Sequence, residues 1–149
     1  ITMETLDTEL AQADIIVAAL PESPETHQLL NRERLDLMKK TAVLVNVGRG
    51  GLIDHMALAE KLQKGELRGA ALDVTDPEPL PTDHPLWDCP NAIITPHISG
   101  GSFGHLIATE ERLFDICRKN LQRYLAGEEL LNRVDLKTGY RIEELRYQD

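Results

Sequence analysis

The chain has 149 residues, 42% of them apolar, with 25 Asp and Glu against 16 Lys and Arg and a formal net charge of −9 at neutral pH. A chain of this length and composition can bury one real core, and its acidic excess argues against non-specific binding to nucleic-acid phosphates. Its longest apolar runs, such as Ile15–Leu20 and Ala42–Val47, fall far short of the ~20 residues needed to span a bilayer; no basic stretch leads into an apolar run, so no secretory signal is expected.

The elements follow one another with little ambiguity. Leu6–Ala13 reads as a short helix, with Leu6 and Leu10 four apart and acids near its start, where they suit the helix dipole. Ile15–Leu20, bounded by Asp14 and Pro21, is too short for a helix and fits a strand buried on both faces. Pro21–Thr26 is a loop with two prolines in four residues. Asn31 caps a helix running to about Lys39, with Leu35 and Met38 inward. Thr41–Val47 is a second strand, and Gly48–Gly51 a turn. Asp54 caps the next helix, which Gly65 ends. Gly69–Val74 is a third strand, followed by the proline-rich Thr75–Pro81. Ala92–Thr95 is a fourth strand, Pro96–Ser102 a tight loop, and a long helix runs from about Ser102 to Ala126, stopped by Gly127. Short apolar strands alternating with amphipathic helices predict an α/β fold with a mostly parallel sheet. In such sheets ligands sit beyond the carboxyl ends of the strands, which here open into the loops beginning at Pro21, Gly48, Thr75 and Pro96.

Those loops carry the chemistry. Arg49 lies among three glycines, Glu78 between two prolines, and His97 between a proline and two glycines. An arginine fork binds a carboxylate bidentately and keeps its charge at neutral pH. Histidine gives or takes a proton near neutrality, and a carboxylate beside it orients the ring and favours the imidazolium. The trio suits a 2-oxo acid: Arg49 holds the carboxylate, and His97 protonates the carbonyl oxygen as hydride arrives at carbon. Each residue alone also has a plainer reading, as a surface turn arginine, a solvated loop acid and a packing or capping histidine. His27, His55, His84 and His105 read as structural or solvent-facing, and Trp87 as a packing anchor beneath its loop. Cys89 and Cys117 form neither a CxxC pair nor a disulfide framework. No metal site is expected, and a reducing cytoplasm is the expected compartment.

Four stretches, in order, carry a resemblance: Leu20-Pro-Glu-Ser-Pro-Glu-Thr26, Val45-Asn-Val-Gly-Arg-Gly-Gly-Leu-Ile-Asp54, Gly69-Ala-Ala-Leu-Asp-Val-Thr-Asp-Pro-Glu-Pro-Leu80 and Thr95-Pro-His-Ile-Ser-Gly100. The chain resembles the C-terminal half of the D-isomer-specific 2-hydroxyacid dehydrogenases over about residues 6–127. The resemblance implies a Rossmann-like cofactor domain over 1–127, and a tail over 128–149 returning toward a substrate domain. It implies that Arg49, Glu78 and His97 are catalytic, and that NAD or NADP touches Val17, Pro21, Thr26, Val47, Gly48, Arg49, Asp73, His97, Ser99 and Gly100. Asp73 would hold the nicotinamide carboxamide. A small 2-oxo or 2-hydroxy acid is the implied substrate and a homodimer the implied assembly.

Two departures stand out: Gly48 where an Ala or Ser is common, with little effect expected, and Thr75 where an aromatic is common. No G-x-G-x-x-G occurs in these 149 residues, so the phosphate-binding half of the cofactor domain is expected upstream. The chain alone is expected neither to bind cofactor tightly nor to turn over, and to self-associate through apolar surface where strands are missing. The alternative function is a non-catalytic, NAD(H)-sensing regulator of the same fold. A formate dehydrogenase would want glutamine at position 78, so Glu78 favours hydroxyacid chemistry.

Overall fold

The computed structural model describes residues 2–100, 107–136, 141 and 142. The chain forms two compact units, residues 1–100 and 101–149.

The first unit is built on four strands, β1 (Ile15–Ala18), β2 (Val43–Asn46), β3 (Gly69–Leu72) and β4 (Ala92–Ile94), with helices α1 (Leu6–Leu10), α2 (Arg32–Leu37) and α3 (His55–Gln63) between or before them. The strands are parallel and lie in sequence order, β1-β2-β3-β4. The expected order of elements is therefore the one observed. Each strand is a little shorter than its apolar run. The ladder stops together at Ala18, Asn46, Leu72 and Ile94, which pair in register across the sheet. Residues beyond that level leave the sheet on one edge, so all four candidate loops open there.

Right-handed crossovers between strands in sequential order carry every connecting element to the same face. Ala18, Leu44, Ala70 and Leu72 point to that face and join Leu10, Leu35, Leu58 and Leu62 from the helices in one core. Each large apolar side chain buried there is worth about 1.5–3 kcal/mol. The helix starts are fixed as the sequence predicts. Asn31 Oδ1 accepts from the Arg34 N–H at 3.0 Å, and Asp54 Oδ1 from that of Ala57 at 2.9 Å. Gly65, at φ +66°, follows the end of α3 in the left-handed conformation glycine tolerates best. Arg32 pairs bidentately with Glu60, and Lys61 with Asp36, tying α2 to α3.

The expectation of strands buried on both faces fails. Ile15, Val17 and Ile93 are 68%, 60% and 65% exposed, while their neighbours Ala18 and Leu44 are buried. Within the first unit the helices cover one side of the sheet, because all its crossovers lie on that side. The side chains that point to the other face, Ile15, Val17 and Ile93, are apolar.

The second unit contains α4 (Ile107–Leu125), ended by Gly127 at φ +69°. Its tail folds back on it: Asn120 donates to the Leu131 carbonyl at 3.0 Å and accepts from the Leu131 N–H at 2.7 Å. Val134 bridges Arg141 in antiparallel fashion. The expected helix start at Ser102, and His105, lie outside the described residues. No helix among the described residues is long and apolar enough to cross a membrane.

Candidate active site

Three of the four edge loops are stacked on one another by glycine. A Cβ on Gly48 would lie 2.6 Å from the Leu20 carbonyl oxygen, and one on Gly50 2.0 Å from that of Thr75. Both neighbours are backbone and cannot swing aside. The loop after β2 is thereby seated between the loops after β1 and β3.

Asn46, at the end of β2 and fully buried, shapes the Arg49 turn. Its Oδ1 accepts from the Gly48 N–H at 3.0 Å and its Nδ2 donates to the Arg49 carbonyl at 2.9 Å. The Arg49 side chain is exposed and donates from Nη1 to the Gly48 carbonyl at 2.9 Å. Among the described residues it forms no ion pair with Glu78.

Glu78 and His97 meet directly. Glu78 Oε1 lies 2.8 Å from His97 Nδ1, with both side chains about half exposed, at 44% and 46%. Glu78 rides on a loop in which both Asp76–Pro77 and Glu78–Pro79 are cis. Thr75, buried in that loop, donates its hydroxyl to the Pro77 carbonyl at 3.0 Å. The pair lines a cleft of about 470 Å³ with Asp73, Thr75, Leu80, Trp87 and Thr95 among its walls. Trp87 is half exposed there, its Nε1 donating to the Pro81 carbonyl at 2.8 Å. It is a wall of the cleft, while its neighbour Leu86 is buried in the core.

His97 itself has φ +56°, a left-handed conformation uncommon for a residue with a side chain. Asp73 sits against this turn. Its Oδ1 accepts from the Thr95 hydroxyl at 2.6 Å and the Ile98 N–H at 2.8 Å, and its Oδ2 from the Ser99 N–H at 2.9 Å. Burial alone would push the Asp73 carboxyl up. The hydrogen bonds from Thr95, Ile98 and Ser99 outweigh it and hold the group well below the usual carboxylate range.

The remaining candidate residues spread along the same edge. Val17 and Val47 are exposed, at 60% and 40%. Pro21, Ser99 and Gly100 are exposed too. The Thr26 hydroxyl is spent on its own loop, donating to the Pro21 carbonyl and accepting from the Ser23 N–H, both at 2.8 Å. In the first loop His27 faces Glu22 at 3.2 Å, and His84 Nδ1 accepts from the Leu86 N–H. His55 is buried, its ring 6.4 Å from that of His84. No cluster among the described residues could hold a metal ion.

Residues 1–99 match the family model described as the NAD binding domain of D-isomer specific 2-hydroxyacid dehydrogenases. The chain belongs to that family. Its relatives include a glyoxylate/hydroxypyruvate reductase B of Pectobacterium carotovorum, 44% identical over 87% of this chain and 39% of that protein. A glyoxylate reductase of Thermofilum pendens is 42% identical over 89% and 39%. Among solved structures, a D-isomer specific 2-hydroxyacid dehydrogenase of Xanthobacter autotrophicus, in complex with NADPH and MES, superposes with a TM-score of 0.76 at 39% identity, covering 92% of this chain and 54% of the other. The chain spans about two-fifths of the length of these curated relatives. Within this site, the residue that sequence reasoning missed is Asn46. A polar residue inside an otherwise apolar run was its only signal.

Proposed function

We propose that this protein interconverts a small 2-oxo acid and its D-2-hydroxy acid with a nicotinamide cofactor. The observation that carries the reading is the 2.8 Å contact between Glu78 and His97 in the cleft beside the Arg49 loop. The edge fits the nicotinamide end of such a cofactor: exposed Val17 and Val47 offer an apolar flank, and Gly100 adds no side chain in the way of a flat ring. When bound, the nicotinamide supplies the hydride to, or accepts it from, carbon 2 of the substrate.

The chain's own residues do the rest. Arg49 has N–H groups beyond the one given to Gly48, and takes the substrate carboxylate in a fork. Glu78 engages His97 at Nδ1, which orients the ring and leaves Nε2 for the substrate oxygen. In the reducing direction His97 gives its proton to the carbonyl oxygen, and the Glu78 carboxylate compensates the imidazolium that precedes this step. In the oxidising direction Nε2 takes the proton of the hydroxyl. Val17, Pro21, Thr26, Val47, Gly48, Ser99 and Gly100 form the cofactor side of the site, Thr26 by keeping the first loop closed.

The test is the full-length protein assayed at 340 nm with NADH and NADPH against a panel of 2-oxo acids, beginning with glyoxylate and hydroxypyruvate, the substrates in the relatives' names. Steady loss of reduced cofactor is expected, and His97→Ala is expected to lower kcat by roughly 10²–10⁴ with cofactor still bound. Turnover unchanged in that variant would end the reading.

A further inference from the structure

The His97 turn depends on a residue from another strand. We infer that Asp73 is a positioning residue for His97: its carboxylate, at the end of β3, holds the Thr95–Ser99 turn in the one shape that presents the imidazole to Glu78. The inference rests on the proposed acid–base role of His97, and it gives Asp73 a task other than gripping a carboxamide.

The geometry is that of an anion in a nest of backbone N–H groups. Around His97 three successive amides converge on Asp73. The His97 N–H donates to the Asp73 carbonyl at 2.9 Å, and those of Ile98 and Ser99 to its carboxylate at 2.8 and 2.9 Å. The Thr95 hydroxyl closes the other flank at 2.6 Å. A carboxylate has about four acceptor positions on its two oxygens. This turn takes most of them. Asp73 is only 5% exposed, so little of it faces a ligand.

The turn needs such a hold. His97 lies at φ +56°, a conformation that disfavours a residue with a Cβ, and Gly100 beyond it offers no side chain to pack. Without the carboxylate, the Ile98 and Ser99 amides lose their partner, and the backbone is free to return His97 to an ordinary conformation. That would rotate the imidazole away from Glu78. The hydrogen bonds also keep Asp73 ionised throughout the neutral and mildly acidic range, so the hold does not open as pH changes.

The experiment uses the full-length protein and three forms: wild type, Asp73→Asn and Thr95→Val. Two quantities are read, steady-state kinetics for substrate and cofactor separately, and amide hydrogen exchange at Ile98 and Ser99. A positioning role predicts that Asp73→Asn lowers kcat on the order of 10²-fold, the scale of a misplaced reacting group. Cofactor affinity should change little. Thr95→Val, which keeps shape and removes one donor to the charged group, should lower kcat about ten-fold. Both variants should speed exchange at Ile98 and Ser99. Two results would overturn the inference: an Asp73→Asn protein that loses only cofactor affinity, or a Thr95→Val protein with unchanged kcat and unchanged exchange. Should Asp73→Asn not fold, Thr95→Val decides alone. A wild-type protein that reduces no 2-oxo acid would sink the oxidoreductase reading, and the exchange measurement would still answer for the turn.

Discussion

The loops after β2 and β4 each carry one charged side chain of the proposed site, and each is held by a buried polar residue at the end of a strand. They are held differently. The Arg49 loop is pinned by Asn46, three residues away, through an amide that both donates and accepts. It is then pressed against neighbouring backbone by Gly48 and Gly50. The His97 loop is pinned by Asp73, more than twenty residues away, through a carboxylate that only accepts. A turn that presents both an N–H and a C=O to its anchor calls for an amide. A turn that presents only donors calls for an anion. The first hold is local and steric, the second long-range and electrostatic.

The contrast breaks most visibly at the chemistry. His97→Ala removes the group that the second loop exists to present, and kcat should fall by roughly 10²–10⁴ while thermal stability holds, because the side chain is half exposed. Unaltered kcat would mean the loop presents something else. Gly50→Ala tests the steric hold. Its Cβ would sit 2.0 Å from the Thr75 carbonyl oxygen, so unfolding in urea should show a loss of about 3 kcal/mol. Asn46→Asp tests the match of anchor to turn. It keeps the acceptor for Gly48 and sets an oxygen against the Arg49 carbonyl, at a cost of about 2–3 kcal/mol, with a raised KM for substrate and little change for cofactor.

A smaller effect lies beneath the loops, at His55. Burial first, then the neighbouring His84, lowers its pKa from the ordinary 6.5, against the pull of Asp76, Asp54 and the Ile53 carbonyl. Between the folded and unfolded values the unfolded chain binds more protons, so stability rises with pH there. The contribution is complete above about pH 6.5 and is lost as pH falls below it. Chemical unfolding at pH 7.5 and 5.5 should show wild type losing more stability on acidification than His55→Leu. The carboxyls with lowered values, Glu25, Asp36, Glu60 and Asp73, act only further down, below about pH 4.5. The smallest effect is expected at the exposed Arg32–Glu60 pair: Arg32→Gln should leave the urea unfolding midpoint nearly unchanged, which sets the scale against which the two loop anchors are judged.

Much of this is legible in the amino-acid sequence. Ile15–Leu20 and Ala42–Val47 read as strands because an apolar run bounded by proline, acid or glycine has few other uses. Asn31 and Asp54 read as caps because their side chains can mimic the missing turn of a helix. The loops holding Arg49, Glu78 and His97 could be assigned to one edge because parallel strands must all end on the same side. What did not read out was the meaning of Asn46, which looked like one more strand residue, and of Trp87, which looked buried and lines the cleft. Nor did the run Ile15–Leu20 reveal that one of its faces stays open to solvent.

The amino-acid order by itself determined the alternation of elements, the chemistry of each loop and the family, because periodicity, capping and reactive side chains are properties of neighbours along the chain. Only the tertiary structure decided which loop leans on which, which carboxylate is consumed by which turn, and that Glu78 reaches His97. Those contacts join residues tens of positions apart, and their partners are chosen by strand register and by the few ångströms of backbone clearance that a missing Cβ provides.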